Sequence, residues 1–225
     1  MPRVTAPRGG MARVVARPYY WINVARLCYV CRVKGVLDRE ARKEQLAEAV
    51  WQVILERGVG AVSIRTVAEQ AGLVVGSLRY VFPSRAELLT FSADLMVRRV
   101  TERVRAVPDP GDALEYAINV IAQLLPLDAE RRAELEVNLA LIGEAPAEPA
   151  LLSIRDHAHR ELQAASMGLV RLVSDDSHGI DRLFVHARRL HALVDGVAIH
   201  LLHRDPEEGE WALALIREEL EAIAQ

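Results

Sequence analysis

The sequence predicts an all-α fold: an N-terminal three-helix unit built around a helix-turn-helix, then a C-terminal antiparallel helical body. Three observations carry this. Ala, Leu, Glu and Arg dominate, only 5% of the residues are aromatic, and β-branched runs bounded by turns are scarce. Apolar residues recur at spacings of three and four wherever the chain is periodic. Pro and Gly clusters fall between the periodic stretches rather than inside them. At 225 residues and 51% hydrophobic, the chain can bury one large core or two modest ones, which excludes a disordered protein.

Residues 1–37 form a basic arm with seven basic residues and no acid. Breaks at Pro2, Pro7, Gly9, Gly10, Pro18 and Gly35 deny it a helical face. Three readings compete: an arm that follows a DNA minor groove, a targeting signal, or an unstructured extension ahead of a later start at Val36. The signal reading is weakened by Asn23 and Arg26, which interrupt the longest apolar stretch. Cys28 and Cys31 make a lone CxxC; its nearest histidine is His157, so zinc lacks two further ligands and the pair is read as incidental thiols.

From Arg39 the chain becomes periodic. Leu46, Val50, Val53 and Ile54 make the stripe of a first helix, Glu40 and Glu44 favour its amino end, and Gly58 stops it. Ser63 caps a second helix with Ile64, Val67, Ala68 and Ala71 on one face, and Gly72 supplies its positive-φ stop. A third follows at once, with Leu78 and Phe82 toward the core and Val75, Ser77, Arg79 and Tyr80 outward. Residues 63–82 thus have helix-turn-helix geometry, whose second helix enters a DNA major groove. Pro83-Ser84-Arg85-Ala86-Glu87 then spells a capping box opening a long helix over about 85–105.

Pro108-Asp109-Pro110-Gly111 ends that helix, and Pro126-Leu127-Asp128 opens another over about 129–143. Pro146 to Pro149 separates it from one over about 150–173, and Asp175 to Gly179 forms the next turn. Leu183, Ala187, Leu190, Val194, Val197 and Leu201 then step by four and three, as do Leu213, Ile216, Leu220 and Ile223, joined at Arg204-Asp205-Pro206. The domain expectation is an arm over 1–37, a reading domain with its linker helix over 38–105, and a body over 106–225.

Charge follows the same division. Residues 38–105 hold eleven basic and nine acidic side chains, and residues 106–225 hold ten basic against twenty-two acidic, within a net charge of −3. Phosphate is drawn to the first half and repelled by the second. No Gly-rich phosphate loop, HExxH, nucleophile elbow or carboxylate pair occurs, so no enzyme activity, cofactor or metal is expected. His191 with Asp195, and His200 with His203, lie on adjacent turns but are read as polar surface or interface residues.

The run Val67 to Leu73, and then Gly76-Ser77-Leu78-Arg79-Tyr80-Val81-Phe82-Pro83-Ser84-Arg85-Ala86-Glu87-Leu88-Leu89, resembles the DNA-binding domain of the tetracycline-repressor (TetR) family of bacterial transcription regulators. The likeness spans roughly residues 40–100. It implies a cytoplasmic homodimer, free of the membrane, that binds a palindromic double-stranded operator and is released from it, as a repressor, by a small-molecule effector held in the body. Ser63 and Arg85 match positions that grip phosphates, and Tyr80 matches one that touches the DNA backbone. Gly76 and Ser77 match small residues that let the helix approach the strand. Arg79 is the base-reading candidate, because its planar fork takes O6 and N7 of a guanine together. Arg65 fits DNA contact and solvation equally well. Val74 and Val75 depart from the family's polar residues and suit only a thymine methyl, and Val81 stands where His is frequent. The likeness further implies a four-helix dimer interface on the last two helices, at Leu190, Val194, Gly196, Val197, Leu201, Leu213, Ile216 and Leu220; periodicity alone fits an intramolecular hairpin equally well.

Overall fold

A computed structural model of the chain describes residues 37–174, 179–204 and 209–225. The expectations for the basic arm, for Cys28 and Cys31, and for the turns at 175–178 and 205–208 fall outside the described residues. Residues 39–225 form one compact unit. Among the described residues every element is helical: α1 (Leu37–Arg57), a short 3-10 turn (Val59–Ala61), α2 (Ile64–Gln70), α3 (Val75–Val81), α4 (Arg85–Arg105), α5 (Ala113–Ala122), α6 (Ala129–Glu144), α7 (Ala150–Val173), α8 (Ile180–Leu202) and α9 (Glu210–Ile223).

The helix ends have local causes. Ser63 Oγ accepts the Thr66 amide at 3.1 Å and Thr66 Oγ1 accepts the Ser63 amide at 2.9 Å, so a threonine completes the box that opens α2. Gly72 closes α2 at φ +65, with the Leu73 amide donating to the Ala68 carbonyl at 2.8 Å. At α4 only half of the expected box forms. Ser84 Oγ accepts the Glu87 amide at 3.1 Å, but the Glu87 carboxylate meets the Ser84 hydroxyl, not its amide. Helix α5 has no counterpart among the sequence-based expectations; Asp112 caps it through the Glu115 amide at 2.8 Å.

Asp128 caps α6 by accepting the Arg131 amide at 2.8 Å, and it also accepts from the Arg131 guanidinium. Partial burial pushes its carboxyl upward, but these hydrogen bonds outweigh that and hold it below its ordinary value. Because the folded-state value lies below the unfolded one, this stabilisation is present above pH 3.8 and is lost as pH falls through the folded value. Asp128→Ala is expected to cost about 1 kcal/mol at neutral pH. In thermal melts the gap from the unaltered chain should close on acidification; a gap that is constant from neutral to acid would show that the carboxylate does not act as a charged cap.

Two apolar clusters fill the unit. One joins Leu46, Val50, Val53, Val67, Leu78, Phe82, Leu88 and Met96 from α1 to α4 with Val137 and Leu141 of α6, Ala145 beyond its end, and Leu151 of α7. The core of the helix-turn-helix is therefore continuous with part of α6 and α7. The other cluster joins α5, the end of α7, α8 and α9.

Most of the residues expected at a dimer contact fall in that second cluster. Leu190 and Ile216 are 0% exposed, and Val194, Val197, Leu201 and Leu220 are also buried, all within the single chain. Leu213 is partly buried against the same cluster. The stripe closes a hairpin on α5 and α7 within the single chain; of the eight residues named, Gly196 is exposed. The cover comes from α5, which arrives from far along the chain, and from α7, the helix just before α8. The outward side of α8 instead carries Ala192, Gly196 and Ile199, and that of α9 carries Leu215.

Candidate nucleic-acid interface

Helix α3 is held from behind and open in front. Leu78 is 0% exposed and Phe82 is buried, its ring 5.3 Å from that of Phe91 on α4. Helix α1 backs the assembly. Trp51 Nε1 donates to the Ser92 carbonyl of α4 at 3.3 Å, and Arg99 pairs with Glu48 at 2.7 Å while lying over the Trp51 ring. With its inward side chains locked, α3 presents a fixed outer face.

That face contains most of the expected residues. Val74 is 72% and Tyr80 82% exposed, and Val75, Gly76, Ser77 and Arg79 are exposed with them. Arg79, and Arg65 on α2, are exposed and hold no hydrogen bond or ion pair among the described residues. Ser63 is half-buried with its hydroxyl engaged in the α2 cap. Val81 is partly buried against the core.

Arg85 departs from a free phosphate clamp. Its Nε donates to the Val62 carbonyl at 2.9 Å, and its Nη2 donates to the Val59 carbonyl at 3.2 Å and to Glu144 Oε1 at 2.8 Å. The side chain pins the loop before α2 to the start of α4 and ties both to the end of α6, while Nη1 has no partner among the described residues. Nothing in the local sequence signals Glu144, which lies 59 residues away. At its other end α4 is tied to α6 again, Arg103 pairing with Glu134 at 2.8 Å. Burial raises the Glu134 carboxyl above its ordinary value even though Arg103 pulls it down.

The body is braced similarly. Arg132 of α6 donates to the carbonyls of Leu201, Leu202 and Arg204, satisfying the end of α8 from a neighbouring helix. Arg217 of α9 pairs with Glu115 of α5 at 2.7 Å. His191 Nε2 stands 3.5 Å from Asp195, and no group of three His, Cys, Asp or Glu able to hold a metal occurs among the described residues. None of the described helices is long and apolar enough to cross a membrane.

Comparison with known proteins agrees with this geometry. A family model described as bacterial regulatory proteins, tetR family, matches residues 46–90, and one for the C-terminal part of BetI-type transcriptional repressors matches residues 113–225. The HTH-type transcriptional regulator PksA of Bacillus subtilis (strain 168) is 33% identical over 171 residues, covering 74% of this chain and 81% of that protein. A transcriptional regulator from Rhodococcus sp. Rha1 has a similar structure, with a TM-score of 0.70 and 26% identity over 80% of this chain and 95% of its own. A regulator from Saccharomonospora viridis, solved in complex with choline, shares the fold at a TM-score of 0.62 and 22% identity, over 81% of this chain and 95% of its own. These matches, over a helix-turn-helix whose α3 is buried behind and open in front, place the chain in the TetR family of DNA-binding transcription regulators, which are not enzymes.

Proposed function

We propose that the chain is a cytoplasmic, dimeric repressor that occupies a palindromic operator and leaves it when a small molecule binds the body. The observation that carries this reading is the outer face of α3, where Arg79 is exposed and unpaired above a fully buried Leu78. In this reading Arg79 takes a guanine, Val74 and Val75 meet thymine methyls, and Tyr80, Ser63, Arg65 and the free Nη1 of Arg85 meet phosphates. Gly76 supports a close backbone approach: a Cβ there would meet nothing within 4 Å in the chain itself, so internal packing does not demand the glycine.

Two copies meet over the outward sides of α8 and α9, where Ala192 and Gly196 are thin enough for helices to approach and Ile199 and Leu215 supply apolar area. Release follows from the ties between α4 and α6. Arg85–Glu144 and Arg103–Glu134 make α4 follow α6, so a ligand that shifts α6 moves the reading head. The match to BetI-type repressors supports repression, and the choline complex of the Saccharomonospora regulator supports a ligand in the body. The test is selection by the purified chain from a random duplex pool. The expected product is an inverted repeat whose binding weakens steeply with salt. Recovery of no preferred sequence would overturn the reading.

A further inference from the structure

A cleft of about 360 Å³ opens between α7 and α8. Arg160, Gln163 and Met167 line it from α7, and Phe184, Arg188 and His191 line it from α8, each trio spaced along one helical face. The two helices run antiparallel, and the His159 and His191 rings, 5.0 Å apart, fix their register. Met167 and Phe184 therefore lie at the end near the α7–α8 turn, and Arg160 and His191 at the other. The cleft runs from apolar to cationic.

Two features mark this cleft as unfinished. His191 is 7% exposed, yet its Nε2 has no hydrogen-bond partner; Asp195 Oδ2 stands 3.5 Å away without the alignment for one. Beyond this loose contact with a largely exposed carboxylate, the buried ring nitrogen lacks a hydrogen bond, which is costly and which a bound ligand would supply. Arg160 and Arg188 hold no carboxylate among the described residues, whereas Arg131, Arg155, Arg189 and Arg217 of the same acidic body each hold one. At the apolar end Phe184 is 49% exposed, an aromatic face open to solvent.

We propose that this cleft binds a small amphipathic anion, with a carboxylate or phosphate-monoester head between Arg160, Arg188 and His191 and a short apolar chain over Met167 and Phe184. Two guanidinium groups repel a cation of the same size. The proposal names the ligand class of the effector described above and rests on that reading for its regulatory consequence. The volume lies at the lower end of the range for small-molecule pockets, roughly 300–1,000 Å³.

Calorimetric titration of the full chain with octanoate, octyl phosphate and octyltrimethylammonium tests this without DNA. At least one anion should saturate one site per chain while the cation does not bind, and the better anion identifies the head group. From butanoate to octanoate, affinity should rise about two- to fourfold per methylene. Arg160→Gln combined with Arg188→Gln should lower affinity at least tenfold, with an unchanged melting transition and unchanged binding to the selected operator. Equal binding of cation and anions, no binding of either anion, or full anion affinity in the double variant would overturn the proposal. Dissociation of a dimer by the double variant would also overturn it, by assigning the cleft to a second copy. Operator binding that persists while both anions fail leaves the regulator reading standing; anion binding without any preferred operator does the reverse.

Discussion

Replacing Arg79 by alanine lowers affinity for the selected operator by about 5- to 150-fold and leaves affinity for random duplex nearly unchanged. The size follows from one bidentate guanine contact, worth roughly 1–3 kcal/mol of discrimination. The selectivity follows from position. Arg79 projects from the exposed side of α3 and holds nothing else in the chain among the described residues, so its removal disturbs no internal bond. With Val at 74 and 75, the neighbouring positions cannot read a donor and acceptor pattern, which concentrates discrimination on this residue. Arg85→Ala should behave differently. It weakens specific and random DNA alike, and it lowers the melting temperature, because the Val62 and Val59 carbonyls and Glu144 lose a shared donor. Equilibrium binding of both variants to operator and random duplex checks the division of labour. Equal losses on the two DNAs from Arg79→Ala would refute it.

Truncating Leu190 to alanine destabilises the fold by about 2–5 kcal/mol, since this side chain is 0% exposed in the cluster of α5, α7, α8 and α9. Ile199→Arg, on the outward side of α8 at 39% exposure, should convert dimer to monomer and lower the unfolding midpoint only by the stabilisation that association supplied, a difference that shrinks as both proteins are diluted. Denaturant unfolding over a series of protomer concentrations, paired with sedimentation, separates the two effects. If Leu190→Ala dissociated the dimer and spared stability, the apolar stripe of α8 would belong to the interface after all.

What a sequence discloses depends on the range of the interaction. The caps at Ser63 and Ser84 and the stop at Gly72 were readable because each is settled by atoms within a few residues. So was the seating of α3, since Leu78 and Phe82 lie one turn apart. Helix α5 carries no clear local signal: it is a short apolar segment between two proline-bearing breaks, and its burial comes from α7 and α9 rather than from its own pattern. The cleft between α7 and α8 was likewise invisible, because residues 160 and 191 face each other only once the hairpin closes.

Helical period and capping act within one or two turns, so the residues alone specify the all-α class, the helix-turn-helix and the outward set on α3. Tertiary structure alone decided what each buried stripe meets. A 3.6-residue period states that a face is covered, not by which helix, so Leu190, Val194 and Leu201 fitted a dimer seam and an intrachain core equally until α5 and α7 were in place. The same holds for Arg85: its charge was evident at once, but its partner Glu144 is brought beside it only by folding.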